Sequence, residues 1–146
     1  MNKKYNCSIL LFFLLTQVVA SLAKKPSDSP NILFVFSDDH AWQSIGAYGG
    51  RLKEVAHTPH IDKLASEGML FRKCFVANAL CGPSRAAVLT GKYGHRNGVT
   101  WNKNTNFDGS QQTFPKLMHK NGYQTAIIGK WHLASVPTGF DYFDVM

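Results

Sequence analysis

Residues 81–91 read Cys81-Gly82-Pro83-Ser84-Arg85-Ala86-Ala87-Val88-Leu89-Thr90-Gly91. They follow the pattern C-x-P-S-R-x-x-x-L-T-G, which fixes seven of eleven positions and rarely arises by chance. The segment predicts a helix over residues 83–89, with Cys81 and Gly82 just before its start. A helix start carries unpaired backbone N–H groups and a partial positive charge, so Cys81 stands where an anion is stabilised.

Downstream, Gly122-Tyr123-Gln124-Thr125-Ala126-Ile127-Ile128-Gly129-Lys130-Trp131-His132 begins with a strand-like run over 123–128 and puts Lys130 and His132 directly after it. Upstream, the continuous apolar run Ile32-Leu33-Phe34-Val35-Phe36 leads into Asp38-Asp39. Such a run predicts a strand buried on both faces, as in a parallel sheet. Between these, Thr58-Pro59 opens a short helix that Gly68 ends, and residues 69–76 suggest another extended segment. Thr113-Phe114-Pro115 opens a further helix, closed by Asn121-Gly122. Strand and helix in alternation predict an α/β sandwich with a mainly parallel sheet. In an open α/β sheet functional groups gather beyond the carboxyl ends of the strands, so Asp38, Asp39, Cys81, Lys130 and His132 can meet around one anion. Adjacent carboxylates repel each other; a divalent cation would account for Asp38-Asp39, and so would a solvated turn after a strand.

Together the three elements resemble the type I, formylglycine-dependent sulfatases, over residues 31–146. The resemblance implies an alkaline-phosphatase-like α/β sandwich with a mainly parallel central sheet. It implies that a maturation enzyme, recognising Cys81, Pro83, Ser84 and Arg85, oxidises Cys81 to formylglycine. One hydroxyl of the hydrated aldehyde attacks sulfur and expels the alcohol; loss of the proton from the other releases sulfate and restores the aldehyde. By motif position, Asp38, Asp39 and Cys81 hold one Ca2+ per subunit, Arg85 orients the diol, Lys130 binds sulfate oxygens and His132 takes the second hydroxyl's proton. Calcium takes six to eight oxygen ligands, more than two aspartates supply. Complete members are several times longer and place a second acidic metal pair, a lysine and a histidine further downstream. This chain is therefore expected to be the N-terminal part of a catalytic domain, truncated after it, inactive and poorly folded alone.

Two stretches narrow the resemblance. Phe107-Asp108-Gly109-Ser110-Gln111-Gln112-Thr113-Phe114-Pro115 and Pro137-Thr138-Gly139-Phe140-Asp141-Tyr142-Phe143 are similar to bacterial N-acetylglucosamine-6-sulfatases, including mucin-desulfating enzymes. That branch acts on sulfated sugars, and heparan N-sulfatases are the runner-up. Lys92, His95, Asn97 and Trp101 are candidates for lining a sugar pocket, with surface-loop and core roles as the alternatives.

The first 23 residues read as a signal peptide rather than fold. Lys3 and Lys4 precede an apolar run over 9–20, and Ser21-Leu22-Ala23 supplies small residues for cleavage. That run is short for a membrane anchor, so the mature protein is expected to be secreted or periplasmic and free of the membrane. Residues 24–30, with two prolines and two serines, form a linker into the domain of residues 31–146. Without Lys3 and Lys4, fourteen basic residues face nine acidic ones, a net charge of +5. They are scattered, with no run or aromatic interleaving that suits nucleic acid, though a basic surface would steer an anionic substrate.

Two readings from other classes stay open. A phosphonate or phosphate monoester hydrolase of the same superfamily could use the same modified cysteine. Alternatively, Cys74 and Cys81 could form a disulfide in a non-catalytic secreted glycan-binding module.

Overall fold

The computed structural model describes residues 29–103 and 105–146. The expected signal peptide and nearly all of the linker lie outside them. The chain divides into two compact units, 1–36 and 37–146. In the first, residues 29–36 take no regular secondary structure, and the rings of Phe34 and Phe36 lie 6.0 Å apart. The run over 32–36 is thus not the buried strand its composition predicts: Leu33 is 88% and Val35 78% exposed. Strand-forming residues become a strand only where a neighbour completes the hydrogen-bond ladder, and the one sheet among the described residues lies elsewhere.

The second unit opens with two 3-10 turns, Trp42–Ser44 and Gly46–Tyr48, followed by helix α1, Pro59–Glu67. Pro59 sits in the first turn, where its missing N–H costs no helical bond, and Gly68 closes the helix by donating to the Leu64 carbonyl. Thr58 makes no helix cap; its hydroxyl donates to Asp62 at 3.0 Å and accepts from the Gly46 N–H at 2.9 Å. Asp62 also accepts from the Ala47 N–H at 2.7 Å, so the start of α1 holds the second turn. The extended segment expected at 69–76 belongs to no ladder.

Helix α2 runs Cys81–Thr90, two residues earlier than predicted, and ends at Gly91 in the left-handed conformation, φ 65°. A one-turn helix α3, Gly94–Asn97, and helix α4, Phe114–Lys120, follow. Strand β1, Ala126–Gly129, pairs in parallel with β2, Tyr142–Val145, with Ala126 opposite Tyr142 and Gly129 opposite Val145. Residues 142–145, for which the sequence alone gives no strand, form one because Tyr142, Phe143 and Val145 suit a ladder once β1 stands beside them.

The core comprises Ala86 and Leu89 from α2, Val99, Phe107, Trp131 and Leu133, with Ile127, Phe140 and Val145 against it. Trp131 stands edge-on to Phe107 and to Phe140, centroids 6.5 and 6.4 Å away. Its indole N–H donates to the Ser135 carbonyl at 2.6 Å. The residue between Lys130 and His132 is thus 6% exposed and locked in place, which fixes the backbone that carries both. No helix among the described residues is long and apolar enough to cross a membrane.

Candidate active site

Two distant parts of the second unit converge on the Asp38 carboxylate. Arg85, in the second turn of α2, donates through Nη2 to Asp38 Oδ1 at 3.1 Å. Lys130, just past β1, donates through Nζ to Asp38 Oδ2 at 2.5 Å. Arg85 also donates through Nη1 to the Lys130 carbonyl at 2.7 Å, tying the helix to the end of the strand. Cys81 and Arg85 are four residues apart in α2 and share a helix face, so the guanidinium lies beside the thiol's side of the helix.

Asp39 takes the left-handed conformation at φ 50°, which aspartate tolerates better than most residues. Successive side chains of an extended chain point apart; this backbone turn breaks the alternation. Asp38, Asp39 and Cys81 each offer one ligand atom, and the three atoms lie within 4.8 Å of one another. Among these the carboxylates are exposed and Cys81 is half-buried.

The electrostatics follow from these contacts. The Lys130 ammonium, then the Arg85 guanidinium, hold the Asp38 carboxyl below its ordinary value against the opposing effect of burial. Asp38 in turn raises Lys130, and the neighbouring Cys81 adds to the rise. Lys130 therefore remains charged beside Cys81, as an anion site requires.

His132 reaches the same region from the turn after β1. It has φ 52°, a strained conformation for a residue with a Cβ, and its Nδ1 is buried without a hydrogen-bond partner among the described residues. Its carbonyl lies 3.4 Å from where a Cβ on Gly82 would stand, so His132 adjoins the residue after Cys81.

The candidate sugar-contacting residues differ in their surroundings. Asn97 is 2% exposed and its amide is committed to its own loop: Nδ2 donates to the Lys92 carbonyl at 3.0 Å and Oδ1 accepts from the Val99 N–H at 2.9 Å. His95 is exposed and stacked on Tyr93, centroids 6.0 Å apart. Trp101 is exposed, and Lys92 Nζ lies 3.5 Å from Gln111. Cys74 and Cys81 are both free thiols, the first exposed and the second half-buried. Asn102 was not singled out by sequence, yet its Oδ1 accepts from the Gly82 N–H at 3.0 Å. Nothing in Trp101-Asn102-Lys103 signals such a contact.

This geometry agrees with what comparison finds. The sulfatase family profile matches residues 30–144. The chain belongs to the sulfatase family. It is 50% identical over 146 residues to the N-acetylglucosamine-6-O-sulfatase of Bacteroides thetaiotaomicron, covering 98% of this chain and 25% of that protein. It is 42% identical over 130 residues to human N-acetylgalactosamine-6-sulfatase, covering 81% and 24% respectively. Among solved structures, that of BT4656 in complex with its substrate D-glucosamine-2-N,6-O-disulfate superposes with a TM-score of 0.73 at 54% identity, over 78% of this chain and 22% of that one. The α/β arrangement is accordingly that of the alkaline-phosphatase-like fold. The chain spans about a quarter of the length of the relatives it matches.

Proposed function

We propose that this chain carries the nucleophile-bearing part of a sulfuric ester hydrolase that removes sulfate from sulfated sugars, with 6-O-sulfated N-acetylglucosamine as the preferred class. The observation that supports it most is the meeting of Asp38, Asp39, Cys81, Arg85 and Lys130 at one point. Similarity to a protein named N-acetylglucosamine-6-O-sulfatase, and to one solved with a disulfated glucosamine, supports the sugar.

The donor set suits calcium on one condition. Two carboxylates are the hard oxygen ligands that calcium prefers, whereas a thiolate is a soft one. Conversion of Cys81 to formylglycine replaces sulfur with oxygen and makes all three donors hard. Asp38, Asp39 and matured Cys81 would then hold the ion, with further ligands from the remainder of the catalytic domain. A cation there would supply charge that polarises the sulfate oxygens and acidifies the attacking hydroxyl.

The chain's own residues divide the remaining work. Arg85, one helical turn from Cys81, orients the side chain at position 81. Lys130 stabilises the sulfate oxygens as charge builds during transfer. His132 accepts the proton whose loss releases sulfate, a task suited to an imidazole near neutral pH. Residues 1–23 direct export, so the protein works outside the cytoplasm after residues 24–30 lead into the domain.

The test is the mass of the tryptic peptide spanning residues 74–85 from protein made in its host, together with hydrolysis assays on the mature enzyme. Exchange of sulfur and two hydrogens for one oxygen at Cys81, with release of sulfate from N-acetylglucosamine 6-sulfate, is expected. An unmodified cysteine, or faster cleavage of a phosphate monoester than of the sulfate ester, would refute the reading.

A further inference from the structure

The junction between the nucleophile and His132 is held by residues that belong to neither motif. Gly82 follows Cys81 at the start of α2, where the first four N–H groups have no partner within the helix. Leu80, at the cap position, offers no side-chain bond. The Gly82 N–H goes instead to Asn102 Oδ1 at 3.0 Å, across twenty residues of sequence. Gly82 is buried, and a Cβ on it would come within 2.6 Å of Thr105 Cγ2, 3.3 Å of Asn102 Oδ1 and 3.4 Å of the His132 carbonyl. Thr105 in turn accepts from the Ala134 N–H at 2.8 Å, two residues past His132. Asn102 and Thr105 therefore bridge the start of α2 and the turn bearing His132.

We propose that Asn102 is a positioning residue: by holding the Gly82 N–H it sets where the side chain at position 81 stands relative to His132. It touches neither sulfate nor metal in this role. The proposal rests on the sulfatase reading of Cys81. With the acceptor gone, the first turn of α2 loses its tie to the loop, and position 81 gains freedom to drift from His132. Misplacement of a reacting group by a fraction of an ångström lowers turnover without weakening the grip of Lys130 on the anion. The effect thus falls on kcat rather than KM.

The experiment compares wild-type protein, matured in its host, with Asn102→Leu, which keeps the side chain's bulk but has no acceptor, and with Asn102→Asp, which keeps the acceptor. Exchange of the Gly82 amide hydrogen, followed by mass spectrometry, reports the bond; kcat and KM on N-acetylglucosamine 6-sulfate report its consequence. Expected for Asn102→Leu are faster Gly82 exchange and a kcat lowered about ten-fold with KM nearly unchanged. Asn102→Asp should restore slow exchange and most of kcat, with KM raised by its negative charge. Unchanged exchange in Asn102→Leu overturns the bond; faster exchange with unchanged kcat, or an Asn102→Asp variant as slow as Asn102→Leu, overturns the positioning role. If wild-type protein turns over no sulfate ester while exchange responds as expected, the sulfatase reading fails, and the catalytic meaning of Asn102 fails with it although the bond stands.

Discussion

Asp38 accepts a hydrogen bond from Lys130, which lies ninety-two residues further along the chain. The pair joins the loop after the first apolar run to the end of β1, and Arg85 completes it from α2. Their contact fixes the separation of the two charges; under the proposed function it would set the metal ligand Asp38 against the sulfate-binding Lys130.

Lys130→Met keeps the aliphatic stem and removes the charge. In the mature enzyme it should lower kcat for sulfate ester hydrolysis by about 10²- to 10³-fold, the effect of deleting one preorganised transition-state donor. Steady-state kinetics check this, and a circular dichroism spectrum like that of wild type shows that the loss is not one of folding.

Asp39→Asn removes one of the three clustered donors and its charge. Calcium that binds only the folded protein raises its thermal midpoint, so a chelator should lower the midpoint of mature wild-type protein. In Asn-substituted protein calcium and chelator should give nearly the same midpoint. An undiminished calcium response would place the ion elsewhere.

Gly139 has φ 84°, and a Cβ there would come within 2.9 Å of the Lys116 backbone nitrogen. Lys116 lies in the first turn of α4 and donates to the carbonyls of Gly109 and Gln111, while Thr138 donates to Gly109 at 2.8 Å. Gly139→Ala combines left-handed strain with overpacking against backbone and should cost about 1–3 kcal/mol. Urea unfolding measures this directly.

Asp141 accepts from the Thr125 N–H at 2.7 Å and faces His119 Nδ1, joining α4 to both strands. The Thr125 N–H, then His119, hold its carboxyl below the ordinary range. A depressed folded-state pKa contributes stability above the unfolded value, and that contribution is lost as pH falls through the folded one. Asp141→Asn should therefore melt lower than wild type at pH 7, and the gap should close on acidification through and below the ordinary aspartate pKa of about 3.9. Thermal melts across that range test the sign.

The helices show which structure can be read locally. Pro59 and Gly68 bracket α1, and Gly91 stops α2, because proline and glycine restrict or free the backbone wherever they stand. Strands were less legible. Residues 32–36 have strand composition without a strand, whereas residues 142–145 form β2 only because β1 lies alongside. A ladder is a property of two segments, and composition describes one.

The site divides in the same way. Cys81, Arg85, Lys130 and His132 were legible as candidates because their motifs fix residue types at set spacings, as were Asp38 and Asp39 after the apolar run. Residue order alone determined the family and singled out the candidate groups. Tertiary structure decided that Lys130 and Arg85 share the carboxylate of Asp38, that Asn97 is enclosed in its own loop, and that Asn102 holds the Gly82 N–H. Those outcomes depend on which hydrogen-bonding groups folding brings within 3 Å or so of each other, a distance in space that separation along the chain does not specify.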